Sequence, residues 1–240
     1  MIYRADLHVH SCLSACADDS MTPEYIARAE KEKGVNLCAL TDHNSALNCP
    51  AFAEACRKYG IAPLFGLEIS SAEQAHVLAL YDRLEAAMEM SAHIFRNLTS
   101  HEKLSDHYGN QIVVSTDGSE QSTENTFLTV PCKFSFNELY KIVNKSGGLF
   151  IPAHINRKMF SVRSQLGKLP DNNYDMLEMY VPDGSEPYPI ICNSDAHWPD
   201  AVGFRTTEFR IPPENERLPL LEQIKKAAET ASFSTFSPGK

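Results

Sequence analysis

Residues 3–10, Tyr3-Arg4-Ala5-Asp6-Leu7-His8-Val9-His10, read as a strand that runs out into two imidazoles. Successive side chains of a strand point to opposite faces, so His8 and His10 lie on the same side. Working outward from this strand (Tyr3–His8), short apolar runs recur at Asn36–Thr41, Pro63–Ile69, His76–Tyr81, Leu149–Ala153, Met176–Val181, Pro189–Asn193 and Thr207–Ile211. Amphipathic stretches predict helices at Pro23–Lys33, Ala51–Tyr59, Arg83–Tyr108, Ser135–Ser146 and Glu216–Thr230. Alternation of this kind implies a parallel α/β architecture, and so many strands imply a barrel rather than an open sheet. One link breaks the pattern: only seven residues separate Glu68 from His76. A parallel crossover needs roughly a dozen or more, so this link should be a hairpin. The expectation is an irregular α/β barrel with at least one antiparallel strand, with residues 1–240 forming a single domain.

Local signals support the helix starts. Thr22 precedes Pro23 with Glu24 in the first turn, Asn48 or Cys49 precedes Pro50, and Ser135 has Glu138 three residues on, a capping-box spacing. Gly34 and Gly60 stand where helices should stop. The polar segment Gly109–Lys133, with a turn signal at Asp117-Gly118, reads either as a surface hairpin pairing Ile112–Ser115 with Thr126–Val130 or as a long loop over a site.

Ionisable residues follow the apolar runs with a regularity that packing does not require. His43 follows Thr41-Asp42, Glu68 ends Leu64-Phe65-Gly66-Leu67, His154 ends Phe150-Ile151-Pro152-Ala153, and Asp195-Ala196-His197 follows Ile190-Ile191-Cys192-Asn193. In parallel barrels the C-terminal ends of the strands carry the active site. Burying these groups is costly unless they are paired or metal-bound. His93, His101 and His107 follow no apolar strand and read as surface residues.

Composition narrows the class. The chain has 240 residues, 43% of them hydrophobic, which suits a globular protein with a substantial core. No apolar run approaches the roughly 20 residues of a membrane span, and the polar residues of MIYRADLHVH come too early for a secretory signal. A cytoplasmic location without membrane attachment is expected. Seven cysteines, an odd count, read as reduced structural thiols, Cys12 and Cys16 included. The net charge of −9 comes with scattered Lys and Arg. That favours a small phosphorylated substrate or nucleotide over a long nucleic acid, which usually calls for a basic patch or stripe. Oligomeric state is not legible.

Taken in order, DLHVHS, LTDHNS, GLEIS with HVLALY, PAH and NSDAH resemble the motifs of the PHP family, the polymerase and histidinol phosphatase superfamily, from Asp6 to about Gly203. The resemblance implies a distorted (β/α)7-like TIM barrel with two or three divalent metal ions at its strand ends. It assigns His8, His10, Glu68 and Asp195 to one ion. Glu68 would bridge to a second ion held also by His76 and His154, and Asp18, His43 and His197 would hold a third. The family places a Ser-Asp-Gly nearer the two histidines. Here Ala17-Asp18-Asp19-Ser20 aligns through Met21-Thr22-Pro23, which gives Asp18 the ligand position and leaves Asp19 as the alternative.

Nitrogen and oxygen ligands suit Zn, Mn or Fe. The implied chemistry is hydrolysis of a phosphate ester by a metal-bridging hydroxide, with Asp195 and His197 at the reacting centre. Arg157, three residues beyond His154, is a candidate grip for the substrate phosphate. It reads equally well as a residue of a solvated loop. Lys158 and Arg163 are further candidates for that grip. Asp42 is either a partner that orients a ligand histidine or a structural residue at a strand end. The alternatives are an amidohydrolase-type metal-dependent hydrolase and a non-catalytic metal-binding domain.

Overall fold

The computed structural model describes residues 1–103, 108–119 and 121–236. Its strands are β1 (Ile2–Val9), β2 (Leu37–Leu40), β3 (Ala62–Ser70), β4 (His76–Tyr81), β5 (Ile112–Val114), β6 (Gln121–Thr123), β7 (Leu149–Pro152), β8 (Leu177–Glu178), β9 (Ile190–Ile191), β10 (Thr206–Arg210) and β11 (Phe233–Phe236). The helices are α1 (Pro23–Glu32), α2 (Cys49–Tyr59), α3 (Leu84–Arg96), α4 (Phe136–Lys145), α5 (Val162–Leu166) and α6 (Leu220–Glu229).

A 7-stranded sheet runs β11-β10-β1-β2-β3-β4-β7. The β1–β2 and β2–β3 pairs are parallel, whereas β3–β4, β4–β7, β1–β10 and β10–β11 are antiparallel. The Glu68–His76 link is the expected hairpin, with Ser70 opposite His76. The parallel pair β8–β9 continues the curl past β7, where Ile155 N–H donates to Glu178 O at 2.9 Å. A parallel bridge between Val9 and Ala196 returns to β1. The fold is a distorted, TIM-like α/β barrel of mixed strand direction, closed by bridges rather than by full ladders.

Two apolar layers hold it. Inside the curl, Ala5, Leu7, Leu37, Ala39, Leu64, Leu78, Leu80, Leu149 and Ile151 pack with Leu221 and Ile224 of α6. Outside, Val9, Leu40, Leu67, Val77 and Phe150 pack against Ile26, Phe52, Met90 and Phe136 of the surrounding helices. Burying each such large side chain is worth about 1.5–3 kcal/mol. The outer helices begin where the caps are: Thr22 Oγ1 accepts from Tyr25 N–H at 3.2 Å, and Ser135 with Glu138 closes a capping box.

One irregularity decides where the histidines point. Ala5 pairs with Leu37 and Asp6 with Cys38, but Val9 pairs with Leu40, so β1 carries one extra residue between Asp6 and Val9. A bulge of this kind reverses which face a strand's later residues meet. Before it, Ala5 and Leu7 face the inside; beyond it, Val9 faces the outer layer and His8 and His10 turn inward.

Several expectations need correction. The helix expected over Arg83–Tyr108 ends at Arg96, where Asn97 and Leu98 turn back and Leu98 bridges to Cys132; residues 104–107, His107 among them, lie outside the described residues. The Asp117-Gly118 hairpin forms, but its second strand is Gln121–Thr123 rather than Thr126–Val130. The last helix starts at Leu220, because Pro213–Asn215 takes a 3-10 turn and Pro219 forces the break. No helix of the described residues is long and apolar enough to cross a membrane.

Candidate metal centre

Strand direction gathers the polar residues at one rim. The C-terminal ends of β1, β2, β3, β7 and β9 deliver His10, His43, Glu68, His154 and Asp195. Antiparallel β4 brings His76 to the same rim from its N-terminal end. His154 and Asp195 leave their strands in left-handed conformations, φ 31° and 51°. Non-glycine residues rarely hold such angles, and they cluster at functional sites.

Glu68 lies at the centre and is buried. Its Oε1 is 2.8 Å from His76 Nδ1, 2.9 Å from His154 Nε2 and 3.5 Å from His8 Nε2. Its Oε2 is 3.1 Å from His43 Nδ1 and 3.2 Å from His10 Nε2. Asp195 Oδ1 lies 3.4 Å from His8 Nε2, 3.5 Å from His10 Nε2 and 3.6 Å from His197 Nδ1, yet forms no hydrogen bond of good geometry. His154 Nδ1 is likewise buried and unpaired. Donor atoms within 4.8 Å of one another form three groups: His8, His10 and Glu68; His43, Glu68 and His76; and His10, His43 and His197.

The electrostatics are those of a carboxylate knot that demands positive charge. Burial alone would raise the Glu68 carboxyl, but His76, His8 and His43 hold it well below the usual carboxylate range. Asp195 is depressed against the same burial by His8 and His10. Burial works to lower His8, yet Glu178, Asp195 and Glu68 lift it well above the ordinary imidazole value. His10 and His43 rise to about 9 against burial through Asp195 and Glu68, and through Glu68 and Cys16, respectively. Burial and the neighbouring His10 push His197 down to about 3. His8 Nε2 and His10 Nε2 face each other at 3.1 Å. Two lone pairs at that separation need a proton or a cation between them. A cation there would serve the carboxylates, and the nitrogen and oxygen donors, with Asp195 Oδ1 and His154 Nδ1 left without a hydrogen bond, fit divalent ions.

Supporting residues fix the rings, as ligand histidines generally require. Glu178 Oε2 and Oε1 lie 3.0 and 3.1 Å from His8 Nδ1, and Oε2 also accepts from His154 N–H at 2.8 Å. Ser14 Oγ lies 3.0 Å from His10 Nδ1 and donates to Asp42 Oδ1 at 2.7 Å. Asp42 therefore acts through Ser14 on the His10 ring, and the same Ser14 Oγ accepts from His43 N–H at 3.2 Å. Glu178 escaped sequence reading. Its signal was a lone acid in the apolar run Met176–Val181, the same pattern that marks Glu68.

The remaining predicted residues divide. Asp18 is exposed, belongs to none of the three donor groups, and accepts from Ser20 N–H and Oγ at 2.9 and 2.6 Å. Asp19 is exposed and accepts from Asn110 at 2.7 Å. Cys16, expected to be a structural thiol, is exposed and lines the cavity beside His43 and His197, while the other cysteines are buried. Arg157 reaches Asp195 Oδ2 at 3.1 Å, and Lys158 lines the same cavity. Arg163 is committed to Glu186 at 2.7 Å. His93 stacks on Phe134 and His101 meets Phe95, both apart from the knot.

A cavity of about 1150 Å³ opens over the knot. Its rim carries the exposed rings of Trp198, Phe204 and Tyr180, with the Arg205 guanidinium 3.5 Å above the Tyr180 ring.

Comparisons with known proteins agree with this architecture. The PHP domain family model matches residues 6–157. The fold is similar to that of endonuclease Q, a lesion-specific endonuclease from Pyrococcus furiosus, with a TM-score of 0.72 and 20% identity over 98% of this chain and 58% of that one. Endonuclease Q in complex with a 27-mer duplex bearing an abasic lesion at the active site gives 0.70 and 21% over 96% and 57%. A metal-dependent phosphoesterase candidate from Bifidobacterium adolescentis ATCC 15703 gives 0.56 and 19% over 80% and 87%. Error-prone DNA polymerase of Nocardia farcinica (strain IFM 10152) is 39% identical over 66 residues, 28% of this chain and 6% of the polymerase. The chain thus matches a small part of that curated relative's length and little more than half of endonuclease Q.

Proposed function

The chain belongs to the PHP domain family, and from that premise we propose that it is a metal-dependent phosphoesterase acting on a nucleotide or a nucleic-acid strand. The observation that carries the reading is Glu68, a buried carboxylate whose two oxygens face His76 and His154 on one side and His43 and His10 on the other. His8, His10, Glu68 and Asp195 would hold one ion and Glu68, His76 and His154 a second, with a third beside His43 and His197. Bound divalent ions such as Zn, Mn or Fe supply an activated water and neutralise phosphoryl charge.

The chain's own residues supply the rest. Glu178 and Ser14 fix the rings of His8 and His10. Arg157, already beside Asp195, is placed to hold a phosphoryl oxygen over the knot, where a guanidinium suits bidentate contact. Trp198, Phe204 and the Tyr180–Arg205 pair offer flat faces to an aromatic base, as stacking platforms do.

The earlier expectation against a long nucleic acid is withdrawn. It rested on a net charge of −9, a total over the whole surface. The cavity mouth itself carries Arg157, Lys158 and Arg205, and the structural neighbour endonuclease Q is solved on duplex DNA.

The test is a substrate panel with metal-stripped chain reloaded with Mn, Zn or Fe. It should include p-nitrophenyl phosphate, bis-p-nitrophenyl phosphate, nucleoside monophosphates, and single-stranded and abasic duplex oligonucleotides. Turnover that a chelator abolishes and metal restores is expected, with base-bearing esters preferred. A metal-loaded chain that turns over no member of the panel would sink the proposal.

A further inference from the structure

Arg157 and Arg163 each have a carboxylate partner, Asp195 Oδ2 at 3.1 Å and Glu186 Oε1 at 2.7 Å. Arg205, half-buried on the rim of the cavity that Arg157 also lines, has none: among the described residues it forms no hydrogen bond and no ion pair. It lies instead on ring faces, its guanidinium carbon 3.5 Å from the Tyr180 centroid and 5.3 Å from that of Phe204. Stacking of this kind engages a guanidinium through its flat face. The five N–H donors point outward in its plane, so a stacked arginine keeps them for a ligand. Both sides of the stack are fixed. Tyr180 N–H donates to Asn156 Oδ1 at 3.0 Å, and Asn156 Nδ2 donates to Val181 O at 2.9 Å. On the other side, Lys33 Nζ donates to Asp200 O at 3.4 Å and to Val202 O, Gly203 N–H to Asp6 Oδ2 at 3.3 Å and Phe204 N–H to Ala201 O at 3.0 Å. A guanidinium set in place without a counter-charge is preorganised for an anion from outside the chain.

We propose that Arg205 binds a phosphate other than the one held at the knot, so that the substrate is an oligonucleotide strand rather than a nucleoside monophosphate. The inference rests on reading the knot as a phosphoesterase site, with Arg157 at the reacting phosphate. A nucleoside monophosphate brings one phosphate, and Arg157 with the knot takes it up. A strand brings a further phosphate at each linkage, with a nucleoside between one and the next. The rim has the matching alternation. The exposed rings of Trp198 and Phe204 line the same cavity as the two arginines, and Arg205 follows Phe204 directly in the chain. Aromatic faces for the bases, interleaved with cations for the backbone, are how proteins follow a single strand. The planar fork of Arg205 suits two oxygens of a phosphate, and stacking on Tyr180 fixes the plane in which it offers them.

The experiment measures binding rather than turnover. Full, metal-loaded chain is titrated by calorimetry with tetrathymidylate made with phosphorothioate linkages, which keep the charge and resist hydrolysis. In further ligands one linkage at a time is replaced by a neutral methylphosphonate. Wild type is expected to lose about tenfold or more in affinity when the linkage on Arg205 is neutral, as for a lost charge-assisted contact. In Arg205→Met the same replacement should cost little. Arg205→Lys keeps the charge without the planar fork and should retain part of the sensitivity, which separates loss of a contact from loss of fold. Lys158→Met should leave the sensitive position in place, because Lys158 lines the same cavity but shares only the charge. A pattern that Arg205→Met leaves unchanged, or that Lys158→Met erases equally, overturns the inference. Equal affinity for all the ligands, from a chain that turns over the phosphate-ester panel, overturns it alone. A chain that neither binds the strand nor turns over any ester overturns the phosphoesterase reading as well.

Discussion

Glu178 Oε2 lies 3.0 Å from His8 Nδ1, on the side of the ring away from Glu68, whose Oε1 is 3.5 Å from Nε2. One buried carboxylate thus orients the ring while another shares its working nitrogen. With Nδ1–H donated to Glu178, the Nε2 lone pair is free to point into the knot.

Glu178→Gln should therefore act on metal binding rather than on substrate. The amide keeps the shape but removes the charge that holds the His8 tautomer. Loss of such a supporting partner typically costs about 10–100-fold in metal affinity or activity. Competition against a chromogenic chelator reads the affinity directly. An affinity equal to wild type would show that Glu178 is a packing residue.

Arg157→Ala should raise KM, by about tenfold or more if a charge-assisted contact worth about 1.5–3 kcal/mol is lost. The effect on kcat should be smaller, and Arg157→Lys should recover part of the loss. The Arg157–Asp195 pair is half-exposed on the arginine side, so the fold should not depend on it. A KM equal to wild type would remove Arg157 from the substrate site.

The second buried acid pair predicts a pH effect on stability. Glu30 and Asp6 are buried together beneath Gly203. Burial and the Asp6 charge push Glu30 well above its ordinary 4.5, and burial raises Asp6 to about 6. For an acid whose folded value is raised, the unfolded chain releases its proton first. Stability therefore declines as pH climbs above the ordinary carboxylate value. Glu30→Gln should match wild type in Tm near pH 4 and exceed it increasingly toward pH 8, by about 2–4 °C for each kcal/mol relieved. Parallel thermal melts across that range give the answer, and a constant gap would refute it.

Gly203→Ala should destabilise at every pH. Gly203 has φ 64°, and a Cβ would sit 2.9 Å from Glu30 Oε2. Left-handed strain of this kind costs about 1–3 kcal/mol, seen as a lower Tm. A melt indistinguishable from wild type would mean that the backbone yields there.

Much of this site could be read before any coordinates. His43, Glu68 and Asp195 follow apolar runs because strand ends carry them, and the short Glu68–His76 link could only be a hairpin. What escaped depends on contacts between distant segments. Strict alternation would have kept Val9 on the same face as Ala5 and Leu7, and only pairing with β2 reveals the extra residue that turns His8 and His10 inward. His154 has the opposite parity to Leu149 and Ile151, and it enters the knot through a left-handed turn that sequence does not announce. Cys16 and Asp18 are two residues apart in one loop. Ties to Gly109 and His197, far away in the chain, hold the loop so that Asp18 turns to Ser20 while Cys16 lines the cavity. β11 was missed because Phe233–Phe236 is short and finds its ladder only on β10.

Trp198 is the only tryptophan of the chain, and it stands on the cavity rim with its ring 6.3 Å from that of His197. Tryptophan fluorescence, excited at wavelengths the 9 tyrosines do not absorb, therefore comes from the mouth of the site and not from the core. Because the indole is already half in water, unfolding should move its emission little. A paramagnetic ion bound at His197, or a base laid on the rim, should quench it strongly. The protein carries its own optical gauge of occupancy, free of the background that a buried indole would add.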